Sequence, residues 1–220
     1  MLYDEKAVKE NIRNREGRRV FILGKHDTLT PSARDFLHRE RIAILPPEEA
    51  KPQVWKLLCG GFCEEKPEQM THLNGDTLVP KTHRRIRFRG AIDTLEAELL
   101  LCGSGVGEVL ELARRLIRCD VLDEPVGDIT LYGLTENEQR RRSHFPQDYY
   151  GIPHFMPDFG CSRELLQLNR ARCAARQAEL AAVDAFTDRD GAPTRLDIVQ
   201  ACNRISSMLY LLMLQEKSHK

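Results

Sequence analysis

Four long segments of helical period, joined by short connections, dominate the chain after its first third. They run from Arg85 to Leu101, Val106 to Arg118, Ser162 to Phe186 and Arg195 to Gln215. In the second, Val106, Val109, Leu110, Leu112, Ala113, Leu116 and Ile117 recur close to helical spacing. Helices of this length must bury an apolar stripe, and short connections leave them little choice but each other. The natural architecture is a bundle. Thr135-x-x-Glu138 predicts a capping box for a short basic helix reaching Ser143. Residues 144–160 hold Pro146, Pro153 and Pro157 and read as a structured loop. Thr187 to Pro193 reads as a polar turn. The expected fold is mainly α, a four- to five-helix bundle behind a small N-terminal α/β appendage.

The appendage is assigned to residues 1–50. Arg19 to Gly24 and Ile42 to Leu45 predict short strands. Between them, Thr30 caps a helix that has Pro31 at its first position. Residues 51–69, rich in Pro, Gly, Glu and Lys, read as a linker carrying Cys59 and Cys63; residues 70–220 form the bundle domain. Lys and Arg balance Asp and Glu at 33 each, so no global basic field favours nucleic acid or an anionic membrane. Any anion site must be local. No apolar run reaches the length of a bilayer span, and Met1 to Lys6 lacks the apolar core of a signal peptide. Seven cysteines, an odd number, predict a reduced cytoplasmic protein rather than a disulfide framework. The cysteines other than Cys59 and Cys63 read as small apolar core residues on helices.

On a helix, Arg172, Arg176 and Glu179 stand at i, i+4 and i+7, which stacks two guanidiniums and a carboxylate along one face. A solvated face with an Arg176–Glu179 pair is the plain alternative. Early in the last helix, Asn203, Arg204, Ser206 and Ser207 precede a long apolar run; such groups must find protein partners or a ligand. Cations and amide donors on neighbouring helices suit a polyanion such as the triphosphate of ATP. Residues 67–83 bring hydroxyls, a glycine and Lys81 just ahead of a helix, a composition able to cradle phosphates. Cys59-Gly60-Gly61-Phe62-Cys63 offers two thiolates for Zn2+ or Fe2+, with His72, His83 or another chain needed to complete a tetrahedral set. Two incidental thiols in a flexible linker are the alternative. His144 and His154 bracket the aromatic loop, as surface histidines or as residues facing a ligand.

Three runs then carry a resemblance: THLNGDTLVPKTHRRIRFRGAIDTLEAELLL from Thr71, RCAARQAEL from Arg172, and NRISSMLYLLM from Asn203. With LTPSAR from Leu29 and KPE-x-MTHL from Lys66, the chain resembles the ATP:corrinoid adenosyltransferases of the PduO/EutT superfamily, and most of all its ethanolamine-utilisation branch. The resemblance implies transfer of the 5′-adenosyl group of ATP to cob(I)alamin with release of triphosphate. It also implies residue roles. Arg172 would pair with Asp93 of the G-x-I-D turn near a subunit boundary. Arg176 and Glu179 would contact ATP and its Mg2+. Asn203, with Arg204 beside it, would bind nucleotide, and Lys81 would face phosphates. Phe155 would be the apolar wedge that displaces the lower ligand of the corrinoid. A homodimer or homotrimer, partners from a bacterial microcompartment and a cytoplasmic location follow by the same resemblance. Two departures stand out. The T-R-T-G-D-x-G loop of the PduO type survives only as Thr71 and Asn74-Gly75-Asp76, and the Cys-Cys-x-x-Cys motif of some relatives has Gly60 as its middle cysteine. A non-catalytic corrinoid or nucleotide carrier, and a helical scaffold with a metal knuckle, are the rival readings.

Overall fold

In the computed structural model, residues 1–15, 18–47, 54–63 and 65–218 are described. The chain divides into two compact units, Met1–Val54 and Trp55–Lys220. In the first, β1 (Leu2–Tyr3) pairs in parallel with β4 (Thr28–Leu29). Strands β2 (Arg13–Arg15), β3 (Arg18–Ile22) and β5 (Ala43–Leu45) form a second small sheet, with β3 central. Two helices complete the unit, α1 (Glu5–Glu10) and α2 (Pro31–Arg39). The Thr30 hydroxyl accepts from the Ala33 amide at 3.3 Å, so α2 starts where its cap predicts. Val8, Phe21, Ala33, Phe36, Leu37 and Ile42 close a core of their own.

The second unit opens with a four-stranded sheet in the order β7-β6-β9-β8. Its strands are β6 (Trp55–Leu57), β7 (Phe62–Cys63), β8 (Met70–Asn74) and β9 (Thr77–Pro80). The stretch read as a linker therefore contains two strands from Trp55 onward; residues 51–53 and 64 lie outside the described part of the chain. Gly60 and Gly61 adopt φ of 103° and 86°, which turns β6 back onto β7. Strand β6 then pairs in parallel with β9, with Leu57 beside Leu78. The glycines are local punctuation, whereas the pairing partner lies some twenty residues away, so composition alone reads as linker.

Helices follow: α3 (Arg84–Leu101), α4 (Gly107–Leu122), α5 (Glu136–His144), α6 (Pro146–Tyr150), α7 (Arg163–Ala185) and α8 (Leu196–Ser218). The long ones match the sequence-based segments within a few residues, and α6 is a single short helix inside the expected loop. The Ser162 hydroxyl caps α7 through the Leu165 amide at 3.2 Å, and Thr135 with Glu138 makes the full capping box of α5. Each cap contributes about 1 kcal/mol. The core contributes more: Phe88, Ile92, Leu95 and Leu99 of α3 are fully buried, at roughly 1.5–3 kcal/mol per side chain. On α7 the fully buried residues are Ala171, Ala175, Ala178 and Ala182. This small ridge packs against both α3 and α8. The fold is mainly α with a small α/β region at the N-terminus. Among the described residues no helix is long and apolar enough to cross a membrane.

One buried carboxylate joins the sheet to the helices. Asp120 on α4 has no exposed surface. Its oxygens accept from Arg85 Nε at 2.7 Å and Arg89 Nε at 2.6 Å. Arg89 also donates to the carbonyls of His72 and Leu73 on β8. Removing Asp120 leaves two guanidiniums without their anion. Asp120→Ala should therefore cost about 3–5 kcal/mol, read as a lower urea midpoint of the helical circular-dichroism signal. A loss below about 1 kcal/mol would show that the cluster is not an anchor.

Candidate functional site

Helix α8 presents Asn203, Ser206, Ser207 and Tyr210 at i, i+3, i+4 and i+7. These residues line a cleft of about 440 Å3 together with Arg172 and Arg176 of α7. The end of α5, at Ser143 and His144, and the loop residues His154, Phe155 and Pro157 close its other sides. A second cleft of about 470 Å3 adjoins it, with Asn203 and His144 on both. Glu136 and Arg140 of α5, Glu179 of α7 and Arg204 of α8 line this one. The stripe of Arg172, Arg176 and Glu179 is thus brought to the Asn203 band, Arg172 and Arg176 in the first cleft and Glu179 in the second.

A chain of hydrogen bonds divides the two clefts. Asn203 Nδ2 donates to Glu179 Oε1 at 2.8 Å, and Arg204 donates to the Asn203 side-chain oxygen and to the Glu136 carbonyl. Arg204 is only 9% exposed, yet among the described residues no carboxylate lies within ion-pair distance of it. Burial pulls its pKa down; Glu136 and Glu179 push back, while Arg140 adds to the fall. A buried guanidinium held by neutral acceptors has unused capacity for an anion. Arg176 is exposed and has no ion-pair partner among the described residues; the alternative Arg176–Glu179 pair does not form, because Glu179 engages Asn203. Arg172, half-buried, donates through Nη2 to Asn169 Oδ1 at 3.0 Å. Ser206 and Ser207 line the first cleft, and among the described residues neither hydroxyl has a hydrogen-bond partner.

Phe155 lines the first cleft with its ring stacked on Tyr210, centroids 6.0 Å apart, and the Lys217 ammonium 4.2 Å from its own centroid. His154 stacks on the same tyrosine at 5.7 Å. Burial pushes the Tyr210 phenol up, with the Phe155 backbone N–H pulling the other way. Neither Tyr210 nor Arg140 was singled out from the sequence. A signal for Tyr210 existed, since it lies seven residues after Asn203 and so shares its helix face.

Two expected residues stand apart. Lys81 follows β9 and donates to Glu68 Oε1 at 2.9 Å, outside both clefts. Asp93 is exposed on α3, also outside both. The 67–83 segment is a hairpin, its strands paired with each other from Met70 to Pro80, so its amides are largely spent in the ladder. The following helix is capped by His83, whose Nδ1 accepts from the Arg85 amide at 3.2 Å. Cys59 is exposed at the β6–β7 turn, Cys63 lies opposite Trp55, and the Trp55 ring packs on His72 at 4.6 Å. Among the described residues no group of three or more His, Cys, Asp or Glu side chains is arranged to hold a metal. Two thiols alone do not fit the tetrahedral demand of Zn2+. Mg2+ asks for less, one or two carboxylates with the rest from substrate phosphates and water. Glu136 and Glu179 are the two carboxylates on the second cleft, with Arg140 and Arg204 beside them.

The family model for cobalamin adenosyltransferases matches residues 62–216. The corrinoid adenosyltransferase EutT of Salmonella typhimurium (strain LT2) is 32% identical, over 84% of this chain and 81% of its own. The corrinoid adenosyltransferase EutT of Escherichia coli (strain K12) is 29% identical with the same coverage.

The remaining cysteines divide by environment rather than all joining the core. Cys119 and Cys202 are buried, Cys102 is half-buried at the end of α3, Cys161 is half-buried in a loop, and Cys173 is exposed. Burial pushes the Cys202 thiol up to about 12. Alkylation at pH 8 followed by mass spectrometry should therefore label Cys59 and Cys173 within minutes and spare Cys202 until the protein unfolds. Early labelling of Cys202 would contradict its packing behind Asn203.

Proposed function

The chain belongs to the cobalamin adenosyltransferase family, and on that premise we propose that it transfers the 5′-adenosyl group of ATP to cob(I)alamin. In this reaction the Co(I) electron pair attacks C5′ of the ribose. The C5′–O bond breaks, and triphosphate leaves with the bonding pair. Cobalt is itself the nucleophile, so the protein need supply neither a nucleophile nor a base. Its work is to align the two substrates and to hold the departing charge.

The observation that supports this reading is the convergence of Arg172, Arg176 and Asn203 with Phe155 and Tyr210 on one cleft. Cations and amide donors suit the polyphosphate; stacked rings suit the apolar face of a corrin. Arg176, exposed and without an ion-pair partner among the described residues, would meet a phosphate oxygen. Arg204 holds Asn203 in place from behind. Glu179 and Glu136 would hold Mg2+, which when bound neutralises phosphate charge. Phe155 acts as the wedge against the lower face of the corrinoid. Asp93 and Lys81, outside the clefts of their own chain, act at a neighbouring protomer's site in a homo-oligomer, dimer or trimer. The product serves ethanolamine breakdown in a microcompartment. The N-terminal unit, with its own core, is the docking piece for that assembly; unchanged encapsulation after deletion of residues 1–54 would remove this role.

Arg176→Ala should lower turnover about 100- to 1,000-fold, in line with loss of one donor to developing charge. The measurement is anaerobic loss of the cob(I)alamin spectrum with ATP and Mg2+. A wild-type rate would remove Arg176 from the site. Phe155→Ala should slow the reaction that starts from Co(II) more than the one that starts from pre-reduced Co(I), and equal slowing would exclude the wedge.

A further inference from the structure

We propose that His154 and Tyr210 are positioning residues that latch the 151–162 loop across the cleft and thereby set where Phe155 stands. The inference rests on the reading above only in taking that cleft as the reaction site. Residues 152–157 have no regular secondary structure and make no backbone–backbone hydrogen bond among the described residues. Pro153 and Pro157 lack an N–H altogether. Side chains must therefore hold this stretch. His154 uses both ring nitrogens: Nε2 lies 3.2 Å from the His144 carbonyl, and Nδ1 lies 3.1 Å from the Tyr210 hydroxyl.

The partners dictate the proton. A carbonyl only accepts, so Nε2 must carry the hydrogen. In the neutral ring Nδ1 then accepts, and the Tyr210 hydroxyl donates to it. The His144 carbonyl belongs to the last turn of α5, where carbonyls lack helical partners. One imidazole thus caps α5, tethers the loop and grips α8. The next residue is Phe155, whose ring stacks on the same tyrosine at an interplanar angle of 28°. Its place in the cleft is inherited from the latch. By contrast Met156 and Phe159, on the same loop but outside the stack, are 88% and 109% exposed.

Two variants separate the latch from general packing. Tyr210→Phe keeps the ring and removes the hydroxyl; His154→Ala removes the imidazole. In the free protein, amide hydrogen exchange at the non-proline residues between 152 and 161 should rise in both, with α7 and α8 unchanged. In turnover, Tyr210→Phe should raise the KM for cob(I)alamin about fivefold, the effect of losing one hydrogen bond, His154→Ala should raise it further because it loses two, and both should leave the KM for ATP within about twofold. Because the two groups act as one device, the effect of Tyr210→Phe should shrink in a His154→Ala background. Unchanged loop exchange in Tyr210→Phe, equal changes for both substrates, or strictly additive effects would each overturn the latch. The exchange measurement needs no activity. A wild-type protein that fails to adenosylate cobalamin would sink the proposed function and leave the latch to be decided by exchange.

Discussion

Small side chains on one ridge of α7 set the geometry on which the rest depends. Ala171, Ala175 and Ala178 are fully buried between α3 and α8. Each is followed at once by a polar site residue: Arg172, Arg176 and Glu179. One residue further along a helix is about 100° further round it. The buried ridge therefore aims the charged stripe at the seam beside α8, where Asn203 meets Glu179. Larger residues on the ridge would push α8 away and open that contact. Packing and chemistry are two faces of one helical repeat.

The arginines of the bundle divide by their partners. Arg85 and Arg89 share the Asp120 carboxylate, and Arg195 is held by Asp197 at 3.0 Å. These fix the sheet and the start of α8. Arg140 and Arg176 have no carboxylate partner among the described residues, and Arg204 has only neutral acceptors. All three border the two clefts. The paired set does structural work and would gain nothing from a ligand. A guanidinium without a carboxylate has more to gain from an anion than a paired one. Arg115, Arg141, Arg142, Arg163 and Arg189 also show no carboxylate partner among the described residues yet line neither cleft, so position and burial, rather than lack of a partner alone, set Arg176 and Arg204 apart.

The chemistry asks little of the protein beyond placement. Two substrates of opposite character must meet, one polyanionic and one with a broad apolar face. The first cleft is lined by two guanidiniums, serine hydroxyls and the stacked rings of Phe155 and Tyr210. Asn203 sits at the border with the second cleft, which two carboxylates and two guanidiniums line. An irregular loop bears the apolar half and relies on side chains to hold it.

What the sequence determined by itself is local. Caps at Thr30, Thr135 and Ser162 begin helices where expected, because a side-chain oxygen meets an amide only three residues on. Helical period assigned the polar stripe of α7 to one face. Tertiary structure decided which faces meet. It paired β6 with β9, turned the presumed phosphate cradle into a hairpin, and spent Lys81 on Glu68. It also brought His154 to Tyr210 across 56 positions of sequence. Such contacts are chosen by chain closure and by the demand that every buried polar group find a partner, and neither condition is written within one turn of helix.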